Sequence, residues 1–346
     1  MRKAWWVGVL LGALLVGGCG DPGSDGEGER GAPPAPAPGD PTDGASPTTR
    51  GRAEANRDTR DTRDTRDTRD TRDTRDKRDG PDRRDGAGKK GLTRPTTHPK
   101  VLYLGDSLAM ENQDVLGTLL RDQLGARYTS APYSGTTLCD YLEGTGKDSL
   151  VPDKHKAATL VRELRPDYVV LQFWGNAWGY TPCMEGITYD KAQGRYFSRY
   201  AADARRLTGQ ITDAAREAGG KRPRVVWVSQ GPDPMTPDRV RRVNALYRQQ
   251  AAATGDLVSD AGRSVSPAAA RHTWREKLPC TAYERAHRAY CTEPENDRTA
   301  LHRADDPLHF CLAPTTAKSR PCPVRSPGIR RIGQAVADTL RAHETR

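Results

Sequence analysis

Short apolar runs alternate with amphipathic stretches from residue 100 onward, and this alternation predicts strands and helices in turn. The apolar runs predict five strands, at Val101–Leu104, Tyr128–Pro132, Asp167–Phe173, Arg224–Ser229 and Asp256–Ser259. Apolar residues spaced three and four apart predict five helices, at Leu108–Leu124, Ala157–Leu164, Arg199–Ala218, Asp238–Ala253 and Pro327–His343. Strands and helices that alternate in this way predict a single three-layer α/β/α domain with a mostly parallel sheet.

The N-terminal segment carries the one long apolar stretch of the chain. Met1–Lys3 is basic and Ala4–Val16 has the length of a signal-peptide core, which is too short to span a membrane. The following Val16-Gly17-Gly18-Cys19 resembles the lipobox of bacterial lipoproteins, whose cysteine receives a diacylglyceryl group. We predict a lipoprotein signal peptide over 1–18, lipidation of Cys19 and anchoring to the extracytoplasmic face of the cell membrane. An ordinary secretory signal with an incidental cysteine is the alternative.

Residues 19–97 show no apolar periodicity and predict a disordered low-complexity linker. Pro, Ala, Gly and Ser dominate residues 32–47, and Arg57–Thr74 repeats Arg-Asp-Thr six times. A period of three without a hydrophobic position cannot bury a face, so the repeat predicts a solvated tether and not a solenoid. Binding of a polyanionic wall polymer is the alternative, which the alternating aspartates disfavour. We expect the folded domain to occupy 98–346.

Composition and charge narrow the function classes. The chain of 346 residues is 35% hydrophobic and 6% aromatic, which is too lean for a packed globule throughout. Its formal net charge is +10, but the positive excess on the predicted domain forms no Lys/Arg block. We therefore expect no nucleic-acid partner. No apolar run reaches the roughly 18 residues of a membrane span, which excludes a polytopic membrane protein.

Six cysteines remain once Cys19 is set aside, and an even number in an exported domain predicts three disulfides. Proximity along the chain favours Cys280–Cys291 and Cys311–Cys322, which leaves Cys139–Cys183; other pairings stay open. No pair has the C-x2-C spacing of zinc sites, so no metal is expected.

Polar residues of catalytic type follow the predicted strands. The first strand leads into Gly105-Asp106-Ser107-Leu108, which places a serine among the free N–H groups of a helix N-terminus. Ser107 as a simple helix cap is the alternative. Gly135 follows the second strand, Asn176 the third, and Asp306-Pro307-Leu308-His309 precedes the last helix. Because ligands bind outside the carboxyl ends of parallel strands, these groups predict a site for acyl transfer.

In this order the four blocks resemble those of the SGNH (GDSL-type) hydrolases, a family of esterases, lipases and carbohydrate deacetylases. The resemblance covers residues 100–346 and implies the flavodoxin-like fold of that family. The third block departs from the usual Gly-x-Asn-Asp, because Trp174-Gly175-Asn176-Ala177 keeps the asparagine but has tryptophan for the glycine and alanine for the aspartate.

The resemblance implies a role for each matching residue. Ser107 would be the nucleophile, His309 the general base and Asp306 the group that orients the imidazole. The oxyanion hole would consist of the N–H groups of Ser107 and Gly135 and the side-chain amide of Asn176. No metal or other cofactor is implied. We expect Asp106 to support the serine turn.

Other candidate residues receive simpler interpretations. Trp174 and Trp178 flank Asn176 and either stack on a sugar ring or pack at the rim. The loop-rich segment Ala261–Asp305 is expected to shape the pocket, because loops on a rigid sheet carry specificity. Six histidines lack a carboxylate at the Asp-x-x-His spacing and are expected to be solvated: His98, His155, His272, His287, His302 and His343.

Together these features predict a monomeric cell-surface serine esterase that hydrolyses carboxylic esters through an acyl-enzyme. The expected substrates are acylated glycans, followed by lipid or small esters. Two alternatives stay open. The same triad could serve an O-acyltransferase, or the domain could be a non-catalytic surface binding module.

Overall fold

The computed structural model of the chain describes residues 98–345. The predicted signal peptide, Cys19 and the repeat-containing linker lie outside the described residues and stay predictions. Within residues 98–345, no helix combines the length and the apolar character needed to cross a membrane.

A five-stranded parallel sheet forms the centre of the domain, in the order β2-β1-β3-β4-β5. All five strands lie where the apolar runs predict them. This strand order is that of the flavodoxin-like doubly wound folds, so the predicted α/β class is confirmed. The strands are β1 (Lys100–Gly105), β2 (Arg127–Ser130), β3 (Tyr168–Gln172), β4 (Arg224–Val228) and β5 (Leu257–Ser259).

Five longer helices cover the two faces of the sheet, and two short ones, α5 and α6, lie between β5 and the last helix. The third helix begins earlier than predicted, because Tyr196 and Phe197 in its first turns are buried and contribute to the core. The helices are α1 (Ser107–Leu124), α2 (Ala157–Leu164), α3 (Gln193–Glu217), α4 (Pro237–Thr254), α5 (Ala261–Ser264), α6 (Ala282–Ala286) and α7 (Pro327–Glu344).

Alternate residues of the central strands feed two separate cores. Leu102 and Leu104 of β1 join the core formed with α2, α3 and α4. Val101 and Tyr103 of the same strand join the core formed with α1, α5 and α7. Because successive side chains point to opposite faces, a strand that is apolar at every position is buried on both sides, as the parallel sheet of a three-layer domain requires.

The segment between β5 and α7 carries a small antiparallel hairpin of β6 (Lys277–Pro279) and β7 (Arg298–Ala300). The central sheet has its topological switch point between β1 and β3, since β2 lies on one side of β1 and β3 on the other. Ligand sites of such sheets lie beyond the carboxyl ends of the strands at this point. Ser107 and Asn176 follow β1 and β3 there.

Candidate active site

The serine turn begins with a buried aspartate. Asp106 is the N-cap of α1, because its Oδ1 accepts the N–H of Leu108 at 3.0 Å. The interpretation of Ser107 as a simple cap is therefore wrong, since its neighbour fills that position. Ser107 is the first residue of α1, and its hydroxyl is left for other partners.

An unbroken chain of hydrogen bonds joins Ser107, His309 and Asp306. The Oγ of Ser107 lies 2.9 Å from Nε2 of His309, and Nδ1 of His309 lies 3.0 Å from each carboxylate oxygen of Asp306. A carboxylate only accepts, so Nδ1 carries the proton and Nε2 accepts from the serine. Arg303 contributes to the same loop by donating to the carbonyls of Cys311 and Ala313 at 3.2 and 2.8 Å.

The electrostatics of this pair suit a general base. Burial would raise the pKa of Asp306, but the hydrogen bonds and charge of His309 outweigh it and lower the pKa to about 2. Burial would lower the pKa of His309, but the bond to Asp306 and the charges of Glu111, Asp306 and Asp106 outweigh it and raise the pKa. The carboxylate stays ionised, and the imidazole holds a proton more readily than a free histidine does.

Two backbone donors of the predicted oxyanion hole are free of protein acceptors within residues 98–345. These are the N–H groups of Ser107 and Gly135, and both residues line one cavity of about 240 Å³. Gly135 has a φ of +78°, which disfavours any side chain, and a Cβ there would lie 3.4 Å from the ring of Tyr180. The glycine therefore lets this backbone face the cavity.

The third predicted donor, Asn176, also lines the cavity, but its amide already has partners. Its Nδ2 donates to the carbonyl of Thr136 at 2.9 Å and approaches Oδ2 of Asp106 at 3.3 Å. Its Oδ1 accepts from Nε1 of Trp178 at 3.0 Å, which fixes the orientation of the amide. An oxyanion would therefore have to take the place of one of these two acceptors.

Asp106 ties the two strand ends of the site together. Besides capping α1, it accepts the N–H of Trp174 at 2.5 Å, just after β3. Burial raises its pKa to about 6, although these backbone hydrogen bonds oppose the shift. The structure thus supports the expectation that Asp106 holds the serine turn.

The cavity wall differs from the sequence-based expectation. Its side chains come from 107–108, 134–135, 174–180 and 308–316, and the segment Ala261–Asp305 contributes none among the described residues. The expectation that this segment shapes the pocket is wrong. The segment instead contacts the loop that carries His309, because Nε1 of Trp274 donates to the carbonyl of Pro307 at 2.9 Å.

The two tryptophans beside Asn176 differ in their availability to a ligand. Their rings are nearly parallel, with centroids 5.8 Å apart. The guanidinium of Arg239 lies 3.6 Å from the centroid of Trp174, so that face is closed to a sugar. Trp178 is 36% exposed and presents the more accessible ring. The stacking interpretation therefore survives for Trp178, whereas Trp174 packs against its neighbours.

His302 does not compete with His309 as a base. It is 3% exposed, and its ring packs beside Trp274 and Phe310. Burial lowers its pKa to about 4, so it stays neutral, and its Nδ1 donates to the carbonyl of His309 at 3.0 Å. The expectation of a solvated His302 is wrong, since it is buried and donates to the loop that carries His309.

Two further histidines are also not simply solvated. His155 bonds to the hydroxyl of Tyr133, and His343 lies 2.7 Å from the hydroxyl of Tyr168. Both are half-buried, and the tyrosine hydroxyl serves each ring nitrogen as a hydrogen-bond partner in place of water. The expectation of exposure does describe three of the six: His98, His272 and His287.

Disulfides brace both sides of the site. The structure joins Cys139 to Cys183, and these cysteines lie in the 3₁₀ turns that follow the Gly135 and Asn176 loops. It joins Cys311 to Cys322, directly after His309. The third bond, Cys280–Cys291, lies in the hairpin segment. The first two bonds restrict the loops that carry Gly135, Asn176 and His309.

Glu111 is a buried carboxylate that the sequence analysis did not single out. It lies one turn after Ser107 on α1 and is 3% exposed. Its side chain accepts the N–H of Cys311 at 3.2 Å and the hydroxyl of Thr315. The available signal was its position four residues after the serine, on the face of α1 that also carries Leu108 and the other buried residues.

Glu111→Gln is expected to move the acid limb of kcat/KM to lower pH. The groups that face His309 are Asp306 on its own loop, Glu111 on α1 and Asp106 at the serine turn, and all three charges raise its pKa. If His309 acts as a general base it must be neutral, so activity is then lost as pH falls through its pKa. Removing one negative charge lowers the pKa and preserves activity to lower pH.

The glutamine preserves the local contacts, since its carbonyl accepts from Cys311 and its amide donates to the hydroxyl of Thr315. Profiles of kcat/KM from pH 4 to 9 for both proteins check this prediction. An unchanged or upward-shifted acid limb, with an unchanged melting temperature, would show that Glu111 does not act on His309 through its charge.

Solved structures similar to this chain include esterases and a GDSL-like lipase. A catalytic mutant of Axe2, an acetylxylan esterase from Geobacillus stearothermophilus, is 13% identical over 70% of this chain and 94% of that chain, with a TM-score of 0.37. Esterase EstA from Pseudoalteromonas is 12% identical over 72% and 100%, with a TM-score of 0.39. A GDSL-like lipase from Bacteroides thetaiotaomicron is 11% identical over 71% and 88%, with a TM-score of 0.34.

No protein-family model and no curated protein matches the sequence. Fold likeness does not by itself assign an activity. The chemistry of this chain therefore depends on the geometry of its own site.

Proposed function

We propose that the chain is a serine ester hydrolase of the SGNH type that works at the cell surface. The observation that carries this proposal is the chain of hydrogen bonds from Asp306 through His309 to Ser107. It lies beside two backbone N–H groups that have no acceptor within residues 98–345, at the carboxyl edge of a parallel sheet. A nucleophile, an oriented base and oxyanion donors around one cavity are the components that acyl transfer requires.

In the first half-reaction the Oγ of Ser107 attacks the ester carbonyl while Nε2 of His309 takes the hydroxyl proton. The N–H groups of Ser107 and Gly135, with the amide of Asn176, stabilise the negative oxygen of the tetrahedral intermediate. The intermediate collapses, the ester C–O bond breaks, and His309 gives its proton to the departing alcohol. Asp306 stabilises the transient imidazolium and stays ionised because of its low pKa.

In the second half-reaction water replaces the alcohol. His309 takes a proton from that water as it attacks the acyl-enzyme, and the same donors hold the second oxyanion. Collapse releases the carboxylic acid and returns the proton to Ser107. Every step uses side chains and backbone groups of this chain, with water as the only co-reactant.

The proposed substrates are O-acylated glycans, with lipid or small esters as further candidates. A cavity of about 240 Å³ is small beside the roughly 300–1,000 Å³ of typical ligand pockets, which favours a short acyl group. Exposed aromatic rings at its mouth, Trp178 and Tyr180, offer flat apolar faces of the kind that sugar rings pack against. These features support a glycan ester as the substrate.

The proposed location follows from the sequence alone. A lipid on Cys19 would anchor the protein, and residues 19–97 would tether the domain to the outer face of the membrane. Metabolic labelling with a fatty acid tests this. Label on the wild-type protein and none on Cys19→Ser supports the anchor, whereas equal labelling or none in either protein contradicts it.

One experiment separates hydrolysis from the alternative activities. The purified protein is incubated with a short acyl ester, with and without an acceptor oligosaccharide, and free acid and acylated sugar are quantified together. The proposal predicts that free acid dominates in both mixtures. Acylated sugar in excess of free acid would establish a transferase, and turnover of neither kind would favour the surface binding module.

A further inference from the structure

Arg239 is a buried arginine on α4 that the proposed mechanism does not yet use. Its side chain is 2% exposed, which is rare for arginine unless every donor finds a partner. It lies on the same side of α4 as the core residues Val240, Val243 and Tyr247. A buried charge costs free energy on folding unless it is paired and hydrogen-bonded, so the contacts of Arg239 must compensate for its burial.

One side of the guanidinium is fixed by the turn that precedes α4. Its Nη2 donates to Oδ2 of Asp233 at 2.7 Å, and its Nε donates to the hydroxyl of Thr236 at 3.0 Å. Burial would raise the pKa of Asp233, but hydrogen bonds from Thr236 and the charge of Arg239 outweigh it and lower the pKa. The pair therefore stays charged, and moving the arginine away would leave the buried carboxylate without its counter-charge.

The other side of the guanidinium holds the loop that precedes Asn176. Its Nη1 donates to the carbonyls of Trp174 and Gly175, the latter at 3.2 Å. The hydroxyl of Tyr196 donates to the same Gly175 carbonyl at 2.7 Å. Arg239 thus donates to two consecutive carbonyl groups immediately before Asn176, the predicted oxyanion donor.

Gly175 allows the loop before Asn176 to make these contacts. Gly175 has a φ of +88°, and a Cβ there would lie 2.7 Å from the hydroxyl of Tyr196 and 3.0 Å from Nη1 of Arg239. Glycine adopts this conformation readily, and because it has no Cβ, Tyr196 and Arg239 can approach the backbone this closely. The ring of Trp174 adds a cation-π contact with the guanidinium at 3.6 Å.

We propose that Arg239, held by Asp233, is a positioning residue that fixes the Trp174–Gly175 backbone and so aims the amide of Asn176 at the oxyanion. This inference rests on the proposed function, since it assigns a role within the same site. It also explains the departure of the third sequence block: the tryptophan that stands in place of glycine is the platform on which the arginine stacks.

Arg239→Lys tests the proposal, because lysine keeps the charge but lacks the planar fork that spans Asp233, two carbonyls and the indole face. We expect kcat for a short acyl ester to fall about 10-fold to 100-fold with KM changed less than about threefold, since the aimed amide acts on the transition state. The matched control is Arg242→Lys on the same helix, whose guanidinium stacks on Phe197 at 3.7 Å, away from the loop. It should leave kcat within about twofold.

A double-mutant cycle distinguishes positioning from general damage. If Arg239 acts through Asn176, Arg239→Lys lowers kcat much less in an Asn176→Ala background than in the wild type. Equal losses in both backgrounds, or full kcat in Arg239→Lys, would overturn the proposal. Should Arg239→Lys fail to fold, Asp233→Asn removes the anchoring charge with little change of shape and is put through the same cycle.

The failure of the inference and the failure of the proposed function give different results. If the wild type neither hydrolyses esters nor reacts with a fluorophosphonate, the function itself is wrong. The positioning role alone is wrong if the wild type and Arg242→Lys hydrolyse the ester normally, while Arg239→Lys keeps full kcat or loses the same factor in both backgrounds.

Discussion

Ser107→Ala is expected to lower kcat for ester hydrolysis by about 10⁴-fold to 10⁶-fold, because it removes the atom that attacks the carbonyl. His309→Ala should lose a similar factor, since without the base at 2.9 Å the hydroxyl is not deprotonated. The two losses should not add. The double variant is expected to match the single ones, as it does when residues act as one unit. Release of p-nitrophenol from the acetyl ester measures all three.

Ser134→Ala is the matched control for this series. Ser134 lines the same cavity and undergoes the same chemical change, but no hydrogen bond links it to the base among the described residues. Its kcat should stay within about threefold of the wild type. Comparable losses in Ser134→Ala and Ser107→Ala would mean that the substitutions damage the cavity in general, and the triad would lose its support.

Asn176→Ala carries the second-largest expected effect, a fall of about 10²-fold to 10³-fold in kcat, which is typical for loss of one oxyanion donor. KM should change little, because the donor acts on charge that develops in the transition state. Asn176→Asp has nearly the same shape, but its carboxylate repels the oxyanion, so its loss should be larger. Steady-state kinetics with one short ester determine both values.

Trp178→Phe separates the donor from its support. The variant keeps an aromatic ring but removes the N–H that holds Oδ1 of Asn176 at 3.0 Å. We expect kcat to fall by a much smaller factor than it does in Asn176→Ala. If Asn176→Ala retained more than about a tenth of the wild-type kcat, the backbone donors of Ser107 and Gly135 would suffice, and the asparagine would not be an oxyanion donor.

The parts of this fold that follow from sequence are those governed by local pattern. The strands could be predicted because apolar runs such as the one in β3 are buried on both faces. The helices could be predicted from apolar residues at helical spacing. The site could be approached because parallel strands place the residues that follow them at one edge, which brings Ser107 near Asn176.

The parts that escaped prediction depend on contacts between distant segments. Glu111 and Arg239 look like ordinary exposed charges of amphipathic helices, and only tertiary partners such as Cys311 and Asp233 make their burial affordable. Tyr180 and Thr316 of the cavity wall could not be predicted, because loop paths over a sheet edge are set by packing and not by local propensity.

The site has two separately held halves. On the base side, Glu111 and the Cys311–Cys322 bond hold the loop after His309. On the oxyanion side, Arg239 and the Cys139–Cys183 bond hold the loops of Asn176 and Gly135. Asp106 connects the halves, since it caps the helix of the nucleophile and bonds to the loop of the amide. Substitutions on the base side should alter the pH profile, and those on the oxyanion side should alter kcat alone.

Ser107 is expected to be the residue that attacks the substrate, and mass spectrometry after reaction with a fluorophosphonate, which forms a stable P–O bond with an activated serine and releases fluoride, identifies that residue. We expect one adduct per chain, on the peptide that contains Ser107, and no adduct in Ser107→Ala or in protein unfolded beforehand. An adduct on another residue, or no adduct on a folded protein that hydrolyses esters, would contradict it.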